Sequence, residues 1–191
     1  TACMRDRDGH DYGDILPGTG ITPGTDCNDQ SVQTFPGAAP KDNATACEKD
    51  ADADGYGDAS VTAPVVKGTD CNDADALSFP GATERCDGND NACAGAIPAV
   101  EKDPDRDKYV ECTSWADTQN DNPNILGGGD CAPADVKTFP GAAPHETLAA
   151  ACMTDKDGDD FGDQTPASAG ITPGTDCDDD SPTAAATFPG A

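Results

Sequence analysis

Nine residues near the start of the chain, "DRDGHDYGD" over positions 6–14, hold four carboxylates with glycines and an aromatic between them. Like charges at this density repel, and alternating carboxylates are what a hard divalent cation takes as ligands. The pattern returns as "DADADGYGD" from Asp50, "DPDRDKYVE" from Asp103 and "DKDGDDFGD" from Asp155. In the second copy Asp50, Asp52 and Asp54 precede Gly55, which is the first half of an EF-hand loop. Side chains at positions 1, 3 and 5 of such a loop converge, and the glycine allows the sharp turn. The backbone carbonyl of Tyr56 supplies a further oxygen at position 7, and Asp58 adds one at position 9, directly or through water.

The other copies offer equivalent groups. They are Asp6, Asp8, the Tyr12 carbonyl and Asp14 in the first; Asp103, Asp105, Asp107, the Tyr109 carbonyl and Glu111 in the third. The fourth has Asp155, Asp157, Asp159, the Phe161 carbonyl and Asp163. His10 stands where Asp54 stands, which weakens the first site. An EF-hand closes with an acid at position 12, but Val61 and Pro17 occupy that place. The closing groups must come from elsewhere, and an Asp-Cys-x-Asp segment downstream supplies them: Asp26 and Asp29, Asp70 and Asp73, Asp176 and Asp179. The third copy keeps Asp130, with Pro133 in place of the second aspartate and Asp135 nearby. An all-oxygen donor set selects Ca2+ over zinc or copper, with about one or more ions per copy.

The elements that must hold these groups are four tandem units. Phe-Pro-Gly-Ala recurs at Phe35, Phe79, Phe139 and Phe188, each string preceded by an Asp-Cys pair and an acidic loop. The units are residues 1–40, 41–85, 86–144 (irregular, with an insertion) and 145–191. Pro-Gly pairs punctuate each with tight turns. Regular structure is expected to be sparse: a strand around residues 60–66, and helical turns in the alanine-rich stretches 146–151 and 183–187. "APKDNATA" and "APHETLAA" read as linkers, and the four repeat phenylalanines as the small core of each unit. The expectation is an elongated array of small, loop-dominated, metal-stabilised and disulfide-rich units.

Composition requires such supports. Leu, Ile, Val and Phe number only 21 of 191 residues, and the formal net charge is −26. That combination alone belongs to disordered chains. Ten cysteines at recurring spacings compensate. Separations of 24 or 25 residues pair Cys3 with Cys27, Cys47 with Cys71 and Cys152 with Cys177, tying each acidic loop to its Asp-Cys segment. In the irregular unit Cys112 pairs with Cys131 and Cys86 with Cys93, one of three arrangements open to four cysteines. Disulfides imply an oxidising compartment, hence a secreted or cell-surface protein. The chain opens at Thr1 and reads as a mature product or an excised piece.

"DGYGD", "DCNDADALSFPGATERCDGNDNAC" and the other Asp-Cys to Phe-Pro-Gly-Ala stretches resemble the MopE-type metal-binding repeat of secreted bacterial surface proteins. The acidic loops also look like the calcium repeats of thrombospondin type 3. The resemblance implies an extracellular, calcium-binding, disulfide-bonded module. The namesake is associated with copper, for which this chain offers only His10 and His145 as nitrogen donors.

Catalysis is not expected. Nucleophile-elbow, zincin, dinucleotide and phosphate-loop motifs are absent from the sequence, and an acid-base cleft needs more apolar residues than the chain has. The acidic charge excludes nucleic acid and anionic membranes as partners, and no apolar run is long enough for a membrane span. Asn43-Ala44-Thr45 is the one Asn-x-Ser/Thr glycan acceptor, with Thr22 and Thr172 as weaker O-linked candidates. Because "TAC" recurs at residues 45–47 and "TFPGA" closes the last unit, head-to-tail self-association into a filament is expected. The reading is a calcium-binding structural protein: a surface filament, stalk or spacer stiffened by Ca2+ and disulfides. An adhesin or a copper-scavenging module is the alternative.

Overall fold

The computed structural model describes residues 3–120, 122–181 and 183–191; Thr1 and Ala2, where the first unit is expected to start, lie outside them. The expected fold class holds: loops and turns carry most of the chain, and no α-helix occurs among the described residues. β1 (Thr34–Pro36) pairs antiparallel with β2 (Cys47–Lys49), and β5 (Thr138–Pro140) pairs the same way with β6 (Cys152–Thr154). β3 (Tyr109–Val110) and β4 (Gly127–Gly128) form a short parallel pair. Two 3-10 turns, Ala99–Glu101 and Ala184–Ala186, complete the regular structure, the second within the expected alanine stretch. Two compact parts result: Thr1–Glu84 with Asp90–Ala96, and Arg85–Asn89 with Ile97–Ala191.

The strand expected over residues 60–66 does not form. Pro64 has no N–H for a ladder, and the stretch is mostly exposed. Strands form instead at Thr-Phe-Pro, because the next unit supplies an edge. Pro36 lies opposite Cys47, Phe35 opposite Glu48 and Thr34 opposite Lys49; Pro140, Phe139 and Thr138 face Cys152, Met153 and Thr154 alike. The glycine after each Pro continues the pairing, Gly37 N–H donating to Ala46 O and Gly141 N–H to Ala151 O. The Thr138 and Thr154 hydroxyls meet at 2.8 Å in the buried seam.

The core is small. Among the described residues, the buried apolar side chains are Ala39, Val110, Ala142, Ala143, Met153 and Ala184. Each repeat phenylalanine is stacked on the aromatic of its own acidic loop: Phe35 on Tyr12, Phe79 on Tyr56, Phe139 on Tyr109 and Phe188 on Phe161, with centroids 5.3–5.6 Å apart. Offset aromatic pairs add about 0.5–1.5 kcal/mol beyond the area they bury.

Sulfur connects the chain differently from the expected pairing. The bridges are Cys27–Cys47, Cys71–Cys93, Cys86–Cys112 and Cys131–Cys152, while Cys3 and Cys177 are exposed thiols. The expected pairs Cys3 with Cys27, Cys47 with Cys71, Cys86 with Cys93, Cys112 with Cys131 and Cys152 with Cys177 do not form. Backbone bonds already tie each acidic loop to its Asp-Cys segment. Asp26 N–H donates to Gly13 O and Ile15 N–H to Asp26 O; Asp70 with Gly57 and Ala59, and Asp176 with Gly162 and Gln164, repeat the pattern. The cysteine beside each aspartate is thereby left to clamp the chain beyond it, and two of the bridges, Cys27–Cys47 and Cys131–Cys152, staple the strand junctions just described. A loop of about 20 residues closed this way stabilises by roughly 3 kcal/mol in the chain-entropy account.

The stretches read as linkers are also structural. Asp42 accepts the N–H groups of Gly57 and Thr69, and Glu146 those of Gly162 and Thr175, so both clamp an acidic loop to its Asp-Cys segment. Lys41 Nζ lies 4.9 Å from the Tyr56 ring centre, and the His145 ring is 5.4 Å from that of Phe161.

Candidate metal centres

Each acidic loop is wound around its first aspartate. Asp50 Oδ1 accepts the N–H of Ala53 at 2.7 Å and Oδ2 that of Gly55 at 3.0 Å. Asp6 holds Gly9 and Asp11, Asp103 holds Arg106 and Lys108, and Asp155 holds Gly158 and Asp160 in the same way. Both captured residues take positive φ in every copy, although five of these eight positions carry a residue other than glycine. The left-handed turns cost energy at those five positions, and the carboxylate held inside the turn offsets it.

The next two aspartates split their oxygens. Asp52 Oδ1 accepts from Asp54 N–H and Asp54 Oδ1 from Tyr56 N–H, while both Oδ2 atoms are buried without a hydrogen-bond partner. The closing aspartate does likewise: Asp70 Oδ1 takes the Asn72 N–H at 2.8 Å, and its Oδ2 is buried and unpartnered. The third and fourth units repeat this with Asp105, Asp107 and Asp130, and with Asp157, Asp159 and Asp176. In the first unit Asp8 and Asp26 keep their places, and His10 Nε2 stands 3.4 Å from Asp8 Oδ1 and 3.6 Å from Asp26 Oδ2. Acidic oxygens of Asp50, Asp52 and Asp54, and of Asp52, Asp70 and Asp73, lie within 4.8 Å of one another.

A backbone contact makes this convergence possible. The glycine two residues before each closing aspartate runs against the acidic loop so closely that a Cβ on Gly24 would sit 2.0 Å from Gly13 O, and one on Gly68 2.1 Å from Gly57 O. Gly174 against Gly162 is the same contact, while a Cβ on Gly128 would sit 2.1 Å from the O of Cys112, just beyond the third acidic loop. No side chain fits there, which explains why every Asp-Cys is preceded by a glycine at this spacing.

The remaining expected ligands divide between the cluster of inner oxygens and its rim. Asp14, Asp58 and Asp163 use Oδ1 to accept a backbone N–H two residues on, and turn Oδ2 to Arg5, Lys49 and Lys156 respectively. Glu111 stands at the same loop position in the third unit, where the charge of its carboxylate bears on Asp130. Asp29, Asp73 and Asp179 accept loop N–H groups with Oδ1. Asp29 also pairs with Arg5, and Asp179 keeps its Oδ2 buried and unpartnered, adding a fourth inner oxygen in the last unit. The buried Asp73 Oδ2 lies in the cluster with Asp52 and Asp70 and carries an ion pair to Lys49 as well. Asp135, the substitute weighed for the third unit, caps the Thr138 hydroxyl instead. The side chains of Tyr12, Tyr56, Tyr109 and Phe161 are engaged in the aromatic stacks, so the backbone carbonyl is what each has to offer. Arg5, Lys49 and Lys156 were not singled out from sequence; each adjoins the first aspartate of its loop, which is the signal that marks them.

Protonation follows the same division. Burial, reinforced by the charges of Asp54, Asp52 and Asp73, pushes Asp70 up to about 6 against the pull of its Asn72 hydrogen bond. Burial likewise takes Asp107 and Asp179 up to about 6, and raises Asp26, Asp52, Asp54, Asp130 and Asp157. Asp58 moves the other way: burial opposes it, but the Ser60 and Lys49 contacts prevail and hold it low. A carboxyl raised in the folded state keeps its proton where the unfolded chain has released it. The metal-free chain should therefore lose stability as pH rises from about 4 to about 6. Melting curves in chelator across that range measure this; a melting temperature that climbs with pH would contradict it.

The buried, converging oxygens fit a hard cation, since a partner of opposite charge would satisfy every one of them. Comparison with protein families matches the family described as "Putative metal-binding motif", of the copper-binding MopE type, at residues 26–40, 70–97 and 176–191. No curated protein and no solved structure gives a significant match. Those segments hold the closing aspartate and the Phe-Pro-Gly-Ala string of units one, two and four, so the chain carries three copies of the MopE-type metal-binding motif.

Proposed function

We propose that this protein is an extracellular calcium-binding structural module, a subunit or segment of a surface filament, stalk or spacer in which Ca2+ and disulfides together hold the units rigid. The observation that carries this reading is the recurrence, in all four units, of buried and unpartnered carboxylate oxygens from the acidic loop and the closing aspartate. Calcium favours oxygen-only cages of this kind, and the eight bridged cysteines have no thiolate to offer a softer metal. Four disulfides are what an oxidising compartment preserves, and no helix among the described residues is long and apolar enough to cross a membrane. The role is mechanical rather than catalytic. Exposed Asn43, whose Oδ1 is held by Thr45, is the position for a glycan.

The first unit favours the copper reading more than the others do, because His10 brings a nitrogen to its cluster. Native mass spectrometry of the chain titrated with Ca2+ or Cu2+ separates the two. Under the calcium reading, calcium fills about one site or more per unit, the first unit last, and His10→Asp strengthens that weakest site. Preferential copper binding over calcium would overturn it. Calcium uptake should also release protons below about pH 6, because the inner carboxyls must ionise to bind.

A further inference from the structure

We infer that Cys177 of one copy and Cys3 of a second copy form the same strand-paired, disulfide-stapled junction that joins successive units within the chain. The inference deepens the filament reading and is independent of which metal the loops hold. Two internal junctions define the template. At each, the cysteine after a closing aspartate is bonded to the cysteine that opens the following unit: Cys27–Cys47 and Cys131–Cys152. At each, Thr-Phe-Pro of the earlier unit pairs antiparallel with the three residues that begin at the later cysteine. Cys71–Cys93 shows the same use of the cysteine after the aspartate, with Phe79 and Gly81 donating to Asn91 and Ala92.

Residues 3–5 are built as the later half of such a junction. Cys3 O accepts the Thr22 N–H at 2.9 Å, as Cys47 O accepts from Val66 and Cys152 O from Thr172. Arg5 O accepts from Asp14 N–H, as Lys49 O does from Asp58 and Thr154 O from Asp163. One edge of the segment is thus fixed like β2 and β6, but no strand lies on its other edge among the described residues. Met4 registers the difference: it is 56% exposed, whereas Met153 at the equivalent place is 2% exposed beneath its pairing strand.

Residues 187–189 are the earlier half. Phe188 is stacked on Phe161 just as Phe35 and Phe139 are stacked on their tyrosines, yet Thr-Phe-Pro here pairs with no strand among the described residues, and Thr187 is only half-buried where Thr34 and Thr138 are fully buried. Cys177 occupies the position of Cys27 and Cys131, and it is free. Joined in the internal register, Pro189 faces Cys3, Phe188 faces Met4 and Thr187 faces Arg5. Met4 and Phe188 then cover each other as Met153 and Phe139 do, and the two thiols meet as their counterparts do. Closure joins Sγ to Sγ; the two thiol protons and two electrons pass to a small-molecule disulfide such as oxidised glutathione, whose own bond breaks to give two thiols.

The test uses the full chain with saturating Ca2+ in a buffer of oxidised and reduced glutathione, read on non-reducing gels and by mass spectrometry. The unmodified chain is expected to give a ladder of dimers and higher steps that collapses on reduction. Tryptic digestion without reduction should yield residues 1–5 linked to residues 157–191, since Arg5 and Lys156 bound those two peptides. Cys3→Ser and Cys177→Ser proteins should each remain monomeric, while their mixture gives dimers and nothing larger. Three results would overturn the inference: free thiols on a monomer at equilibrium, a Cys3–Cys177 bond within one chain, or homodimers of either variant as readily as mixed ones. Filaments that assemble equally well from the Cys3→Ser protein would reject the covalent junction while leaving the filament reading intact, and calcium uptake by the monomer separates both from the metal question.

Discussion

Exhaustive chelation should sharply lower the melting temperature of this protein, and returning Ca2+ should restore it. Thirty-seven acidic residues face eleven basic ones, and the buried apolar side chains are mainly alanines. A chain so composed has little hydrophobic stabilisation to set against the ordering of its backbone. It also buries, in every unit, at least two aspartates whose inner oxygens have no partner. Each unpartnered polar group of this kind costs about 1–3 kcal/mol, and more when charged. A cation present at a hundred times its dissociation constant contributes about 2.7 kcal/mol per site. Four such sites amount to roughly the entire stability of an ordinary domain. Differential scanning calorimetry with Ca2+ and with EDTA, alongside near-ultraviolet dichroism, would register the change. The bridges should keep the chelated chain compact but loosely packed, and sensitive to proteases. A melting temperature unmoved by chelation would mean that the inner oxygens are satisfied in some other way, and the metal reading would fail with it.

What the sequence disclosed, and what it hid, divides along local and non-local lines. The acidic loop is a local object: alternating aspartates, a turn and an aromatic within nine residues suffice to place Asp50, Asp52 and Asp54 together. The closing aspartates were legible because Asp-Cys stands at a nearly constant distance from the loop. The partners of the cysteines were not legible. Cys47 lies 20 residues after Cys27 and 24 before Cys71, so spacing cannot separate a bridge within a unit from one across a junction. What decides is the backbone pairing of Asp14 with Asp26 and its repeats, which already joins loop to closing segment and is invisible in a list of spacings. The same pairing explains the fate of Asp14, Asp58 and Asp163. An EF-hand count makes them ligands, but a neighbouring basic side chain takes their outer oxygens. Ala-Pro-Lys-Asp and Ala-Pro-His-Glu look like solvent-exposed connectors by composition alone. Their acids are clamps because a chain without a core must satisfy its loop N–H groups with side chains.

Replacing one inner carboxylate should invert its effect on stability according to whether metal is present. Asp70→Asn keeps an oxygen to accept the Asn72 N–H, and it sets an amide N–H where Oδ2 now stands, near the oxygens of Asp52 and Asp54. In chelator the substitution removes a charge buried to 1% exposure and converts repulsion into hydrogen bonding. The variant should then be more stable than the unmodified chain at pH 7, by about 1–3 kcal/mol. In saturating Ca2+ the order should reverse, because the second unit loses a ligand charge and with it on the order of 3–4 kcal/mol of binding stabilisation. Asp58→Asn is the control. It gives up the Lys49 ion pair at 2.9 Å without touching the inner cluster, so it should destabilise modestly in both conditions and show no crossover. Urea unfolding of the three proteins, each with Ca2+ and with EDTA, compares the curves directly. An Asp70→Asn protein less stable than its parent in both conditions would show that Asp70 acts only as a turn-forming acceptor, and would remove the closing aspartate from the metal site.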